Sequence, residues 1–295
     1  MDSLTLGISF SIIATVFLGA NFIAVGRGLK PNLRLEGIFI TLIFSTITIF
    51  FASILSGEFM YLSSIDSNSF ILYIVAGFFN FVLGRTFNYS GITLIGPSRT
   101  SAIISSQVLF SVFFAFFFLP ETLSLLLFLG AFLAFIGIAI VSLSQESNNK
   151  FALRGVTYAI IAAASIGIAF VMIRSANLVA NKPVDGALIA YSTATLCYLP
   201  FVIKKMLKTK VNYPIKEMSI LIFAGLLSGT AQTSRFIALS VSPVALVSCI
   251  IAINPLVTIC LSLFTKENME ILNNKLYLGS LIAVIGVIIV VLALN

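Results

Sequence analysis

The chain has 295 residues, 59% of them hydrophobic and only 9% charged, with a net charge of +7. Soluble domains carry about 25% charged residues, so a water-soluble globule is excluded. The basic residues sit at the ends of apolar runs and form no stripe with interleaved aromatics, so they read as topology signals rather than as a nucleic-acid surface.

In chain order the apolar runs predict spans over 4–26, 37–56, 69–90, 94–119, 123–143, 155–174, 186–203, 217–239, 243–265 and 276–294. Each is near the roughly 20 residues that cross a bilayer core. The runs are continuous rather than alternating, which predicts helices and not an outer-membrane barrel. The first run reads as a span and not a removable signal, because Asp2 is the only charge before Arg27 and a signal needs a basic start. Cys197, Cys249 and Cys260 fall inside spans without metal or disulfide spacing. The partner implied throughout is the lipid bilayer of the plasma or inner membrane.

The second half repeats the first. Gly7–Phe22 reads GISFSIIATVFLGANF and Gly155–Phe170 reads GVTYAIIAAASIGIAF. Leu129–Leu143 reads LGAFLAFIGIAIVSL and Leu278–Leu292 reads LGSLIAVIGVIIVVL. Shared apolar composition explains matching residue classes but not matching glycines. The expected fold is an all-α membrane protein of ten transmembrane helices in two five-helix repeats, 1–144 and 155–295, joined by a 145–154 linker. Five is odd, so the copies insert in opposite orientations, the arrangement of secondary transporters. Gly130, Ala134 and Gly137, with their counterparts Gly279, Ala283 and Gly286, form small-residue helix faces suited to close packing and a candidate homodimer contact.

Basic residues favour one set of loops: Arg27, Lys30 and Arg34; Lys150 and Arg154; Lys204, Lys205, Lys208, Lys210 and Lys216; Lys266 and Lys275. The other set holds Arg174 and Lys182. The positive-inside rule places the first set in the cytoplasm and both termini outside.

Two further segments correspond between the halves. One reads GRTFNYSGITLIGPSRTSAIISSQVLFSVFFAFFFLPETLS and the other SRFIALSVSPVALVSCIIAINPLVTICLSLFTKENMEILN. The shared features are an ALxxxxP/A-like turn, a small-residue helix with a central proline, a short acidic turn (Pro120-Glu121 and Lys266-Glu267), and then LGxxLxxxG-like spacing. In this the chain resembles the EamA-type branch of the drug/metabolite transporter superfamily. The resemblance implies a central cavity bounded mainly by the third, fourth, eighth and ninth spans with the first and sixth. It also implies amino acids, nucleotide sugars, phosphorylated metabolites or aromatic compounds as substrate classes. The chain departs from the pattern where Gln107-Val108 stands opposite Asn254-Pro255, and where Phe17 and Ser165 replace a tryptophan.

Polar groups within spans need an account. Arg85, Arg99 and Arg235 are the sharpest, since arginine at mid-bilayer costs roughly 2.5–3.5 kcal/mol on insertion scales. The bland explanation is snorkelling to the interface. The functional one is a pair of cationic gates, with Arg85 and Arg99 near one face and Arg235 near the other, gripping carboxylate or phosphate. Asn21, Asn80, Asn88, Gln107, Gln232 and Asn254 are the other strong hydrogen-bonding groups, and they serve either helix packing or the cavity. Asn254 leads them because Pro255 frees a carbonyl one turn earlier. Thr86, Tyr89 and Ser106 are weaker candidates.

Histidine is absent, and all ten acidic residues fall in loops or at span ends. Proton antiport through a buried carboxylate is therefore not expected; facilitated diffusion or anion exchange is. No cofactor or metal is expected. An intramembrane enzyme lacks a general base beside a nucleophile. A passive pore wants a continuous polar lining. The function expected is an alternating-access carrier, exporter or exchanger, of a small anionic or zwitterionic metabolite such as an amino acid, organic acid or phosphorylated compound. A carrier of apolar or aromatic compounds is the alternative.

Overall fold

A computed structural model describes residues 3–119, 124–143, 150–208, 214–264 and 274–293. The helices are α1 (Ser3–Gly28), α2 (Arg34–Ser56), α3 (Ser67–Gly77), a π-helical segment (Phe78–Gly84), α4 (Arg85–Ile95), α5 (Pro97–Ile104), α6 (Gln107–Phe118) and α7 (Leu125–Leu143). There follow α8 (Lys150–Ala180), α9 (Pro183–Lys208), α10 (Ile215–Val241), α11 (Val244–Ala252), α12 (Asn254–Phe264) and α13 (Asn274–Leu292). Eight helical stretches among the described residues are long and apolar enough to cross a membrane, so this is a multi-pass membrane protein. The apolar parts described for α7 and α13, Leu125–Gly137 and Leu281–Leu292, are shorter than a span. The Pro120-Glu121 and Lys266-Glu267 turns lie outside the described residues. Of the expected 145–154 linker, the described part is helical, because α8 starts at Lys150.

Three boundaries differ from expectation for local reasons. The third run continues through the π segment to Ile95, and the fourth begins only at Pro97. Between them Gly96 takes φ +84°, a conformation that only glycine adopts without strain. Pro97 then opens α5 at a position where its missing N–H costs nothing. Second, α8 extends to Ala180, so Arg174 is a helix residue and not a loop signal. Its Nη1 donates to the carbonyls of Leu239 at 3.1 Å and Ser240 at 2.9 Å, satisfying orphan acceptors at the end of α10.

The third difference is a break at the same place in each half. Pro255 accounts for the interruption at Ile253 between α11 and α12. The interruption at Ser105-Ser106 between α5 and α6 needs no proline. There Ser105 Oγ donates back to the Ser101 carbonyl at 3.1 Å. Tight bonds from Val108 N to Ser105 O (3.2 Å) and Leu109 N to Ser106 O (3.0 Å) turn the chain. Adjacent serines thus open the helix by offering local alternatives to its own ladder.

Packing follows the repeat. Helix α1 packs on α10, as α8 packs on α3, the π segment and α4. Likewise α1 meets α12 as α8 meets α6, and α2 meets α10 as α9 meets α3. The repeated glycines permit this. A Cβ on Gly19 would lie 2.7 Å from Val257 Cγ1, and one on Gly167 would lie 2.6 Å from Phe110 Cβ. The α7 and α13 faces close on each other. A Cβ on Gly137 would strike the Ala283 backbone, and one on Gly286 the Ala134 backbone. The small-residue face proposed as a dimer contact is therefore filled within the chain. Gly286→Leu should destabilise the folded chain by about 1–3 kcal/mol through overpacking. Ile285→Leu, on the exposed side of the same helix, should leave the thermal midpoint in detergent unchanged.

Candidate functional site

A small cavity of about 60 Å³ lies where α1, the π segment, α4, α5, α6, α8, α10, α11 and α12 converge. Asn21, Asn88, Gln107, Gln232, Arg85, Arg235 and Asn254 all line it, with Asn80, Phe81, Tyr89 and Ser228. On the third run the lining positions are Asn80, Phe81, Gly84, Arg85, Asn88 and Tyr89. They fall in pairs four residues apart. The wider π turn beside the α-helical turns keeps those pairs on one face, as π segments do near functional sites.

Arg85 and Arg235 occupy the same cavity and do not guard opposite faces. The Phe81 ring lies 5.6 Å from the Arg85 guanidinium carbon and 5.9 Å from that of Arg235. The separate cationic gates expected from the sequence are thus replaced by one doubly cationic site. Span counting failed because Arg85 lies ten residues before the end of α4 at Ile95, about 15 Å along the axis at 1.5 Å per residue. Snorkelling fails too: the residues are only 7% and 2% exposed. Arg99 is the exception among the expected residues. It sits on the first turn of α5, half-buried, and is not part of the cavity wall.

The two guanidiniums have unlike surroundings. Arg85 is caged by hydroxyls. Its Nη2 donates to Tyr191 OH at 2.6 Å and Ser228 Oγ at 2.8 Å, and its Nη1 to Thr41 Oγ1 at 3.3 Å. Tyr191 and Ser228 lie 2.9 Å apart, and Tyr89 OH donates to Thr41 Oγ1 at 3.1 Å. The Phe81, Tyr89 and Tyr191 rings flank the cation. Arg235 instead rests among rings, with Phe170 at 4.8 Å and Phe236 at 5.9 Å. Its Nε and Nη2 are buried with no hydrogen-bond partner. These two nitrogens share one edge of the guanidinium, the fork that matches a carboxylate or phosphate bidentately. Asn80 Nδ2, Asn88 Oδ1 and Gln232 Oε1 are buried and unpartnered as well. No carboxylate lines the cavity among the described residues.

Not every amide is available to a ligand. Asn21 Nδ2 donates to the Ala224 carbonyl at 2.8 Å and ties α1 to α10. Asn254 Oδ1 accepts from Thr258 Oγ1 at 3.1 Å, within α12. The sequence reading missed Thr41, Tyr191 and Ser228. Their signal was present only as hydroxyls inside spans, where most Ser and Thr bond to their own helix.

Contacts between the halves tie the helices together at both ends of the bundle. At one end Lys205 Nζ lies 2.7 Å and 2.9 Å from the Glu36 oxygens, and Lys30 Nζ lies 2.8 Å from Glu217 Oε1. At the other, Glu58 Oε2 accepts from the backbone N–H of Val184 (2.9 Å) and Asp185 (3.1 Å). There Tyr73 OH also donates to Asn177 Oδ1 at 2.7 Å. Tyr191→Phe should remove a charge-assisted bond from Arg85 and cost about 1.5–3 kcal/mol of stability, read as a lower thermal midpoint.

The sequence model of the EamA-like transporter family matches residues 5–143 and again 153–292. No curated protein matches the chain. A solved structure, described only as the crystal structure of a protein, superposes with a TM-score of 0.72 over 99% of this chain and 97% of its own, at 16% identity. That likeness concerns the fold.

Proposed function

The chain belongs to the EamA-like transporter family, a membrane transporter family of the drug/metabolite superfamily, and on that premise we propose that it carries a small anionic or zwitterionic solute by alternating access. The observation that carries this reading is the open edge of Arg235. Leaving a buried donor unpaired costs roughly 1–3 kcal/mol, and more when it is charged. A group with only a structural role would be paired, as Arg85 is. A carboxylate or phosphate placed at Nε and Nη2 supplies the missing acceptors. Asn88 Oδ1 and Gln232 Oε1 then stand ready for an amino or hydroxyl donor on the same solute, which favours amino acids and hydroxy acids within the anionic class. The rings in the cavity flank the two cations, which weighs against a purely aromatic cargo.

In this reading ten helices, the eight long ones with α7 and α13, form two inverted five-helix halves in a plasma or inner membrane. The contacts between the halves described above would act as latches on the two faces, as alternating access requires. Breaking the Glu36–Lys205 and Lys30–Glu217 pairs opens one face. Releasing Glu58 from the start of α9 opens the other. The face with Lys30 and Lys205 is cytoplasmic under the positive-inside rule, and a reporter fused after Asn295 should then be active only outside the cytoplasm.

Arg235→Gln should abolish uptake in proteoliposomes without lowering the yield of folded protein, and Arg235→Lys should not restore it, because an ammonium cannot form the two-pronged contact. A ligand-induced rise in thermal midpoint across amino acids, organic acids and sugar phosphates identifies the solute. Uptake by Arg235→Gln equal to that of the parent chain would sink the reading.

A further inference from the structure

The two faces are latched by equivalent residues with unlike chemistry. The spacing that aligns Thr86 with Arg235 also aligns Glu36-Gly37 with Asp185-Gly186. Both acids sit in the first turn of their helices, α2 and α9, and both are buried, at 5% and 0% exposure. The expectation of acids at span ends fits their position and misses their burial. Glu36 is paired with Lys205 from the far end of α9. The position in the first half equivalent to Lys205 is Ser56, so no lysine reaches Asp185 from α2. Instead Ser53 Oγ donates to Asp185 Oδ1, while Asp185 Oδ2 is buried without a partner.

The charged groups around Asp185 do not replace that lysine. From the 57–66 turn comes Glu58, whose Oε2 already accepts the Val184 and Asp185 N–H groups. Burial pushes the Glu58 carboxyl above the usual carboxylate range, against the lowering effect of those two N–H donors; the charge of Asp185 adds to the rise and the more distant charge of Lys182 offsets a part of it. From α3 come Tyr73, bonded to Asn177 of α8, and Asp66, which caps that helix through Ser69 N at 3.0 Å. From the turn before α9 comes Lys182, whose Nζ sits over the Tyr61 ring, 4.5 Å from its centroid. Two carboxylates thus come together where the halves meet, and among the described residues Asp185 makes no ion pair.

We propose that Asp185 with Glu58 is a proton-binding site of this gate, so that closing the 57–66 and 175–185 face takes up a proton and opening it returns the proton to water. The unpartnered Oδ2 is where the proton sits. A neutral acid is the form of a carboxyl that burial without a cation tolerates. The opposite gate, held by Lys–Glu pairs, closes without proton uptake. The two half-cycles then differ in protons bound, which makes the balance between the two open conformations, and so the transport rate, dependent on pH. The coupling rests on the carrier reading above, whereas the proton site stands without it.

The test uses the full chain in detergent with no solute, so its result does not depend on the arginine cavity. A folded state that holds an extra proton loses stability as pH rises from the ordinary carboxylate range through the shifted value. As pH is raised from about 4, the ordinary carboxylate range, to about 8, the thermal midpoint should therefore fall by a few degrees. Asp185→Asn should match the parent chain at the acid end and show no fall. Glu58→Gln should show a reduced fall, and it decides the matter if Asp185→Asn does not fold. A parent midpoint that is flat with pH, an unchanged fall in Asp185→Asn or Glu58→Gln, or a midpoint that follows sodium replaced by choline rather than pH would each overturn the proposal.

Discussion

Two guanidinium groups share one cavity with no carboxylate on its wall among the described residues, and the surrounding structure answers that charge in two ways. Around Arg85 the answer is complete. Three hydroxyls from α2, α9 and α10 accept its protons, and three rings present their faces to it. Around Arg235 the answer is partial: rings at close range and an unpaired edge. Rings offset part of the cost of burying a cation, but they cannot replace acceptors for in-plane N–H groups. Arg85 is therefore a fixed positive charge held by the scaffold, and in the proposed function Arg235 is the group whose partner arrives with the solute. The same hydroxyls that satisfy Arg85 come from both halves of the chain, so the charge also ties the two repeats around the site.

The cavity exists because helices are forced together elsewhere. Matched glycines bring α12 onto α1 at Gly19 and α6 onto α8 at Gly167. Backbones meet directly where Gly137 and Gly286 face Ala283 and Ala134. Between those close contacts the helices are broken, at Ser105-Ser106 and at Ile253. The breaks place Gln107 and Asn254 at the starts of α6 and α12, on the cavity wall. A duplicated chain thus builds a polar cavity from two sets of equivalent parts. The contacts between the halves at the two ends of the bundle have diverged, with ion pairs at one end and carboxylates bonded to serine and backbone at the other.

Much of this was legible in the chain itself. Long apolar runs marked the spans, and repeated glycines marked a duplication, because lipid-facing composition does not require glycine at fixed intervals. In-span Asn, Gln and Arg pointed to the cavity because each is costly in hydrocarbon. What stayed hidden depended on depth and rotation. Arg85 and Arg235 were assigned to opposite faces, since counting residues to a presumed span end misses a π segment and a run that continues to Ile95. Arg99 looked equivalent to Arg85 but lies beyond the Gly96-Pro97 turn. Tyr191, Ser228 and Thr41 carry no distinguishing pattern, because an ordinary hydroxyl gains its meaning only from the cation that packs on it. Asp185 was read as an acid in a loop or at a span end, and the packing of α2 and the 57–66 turn over the start of α9 buries it.

The claim on which the account turns is that the cavity recognises negative charge through Arg235. It is tested most directly by measuring the binding of matched pairs of solutes to the purified chain, each amino or hydroxy acid against its neutral carboxamide. The account predicts that members of the acid set bind and raise the thermal midpoint, that their amides do not, and that Arg235→Gln removes the difference. Equal binding of acid and amide would contradict it.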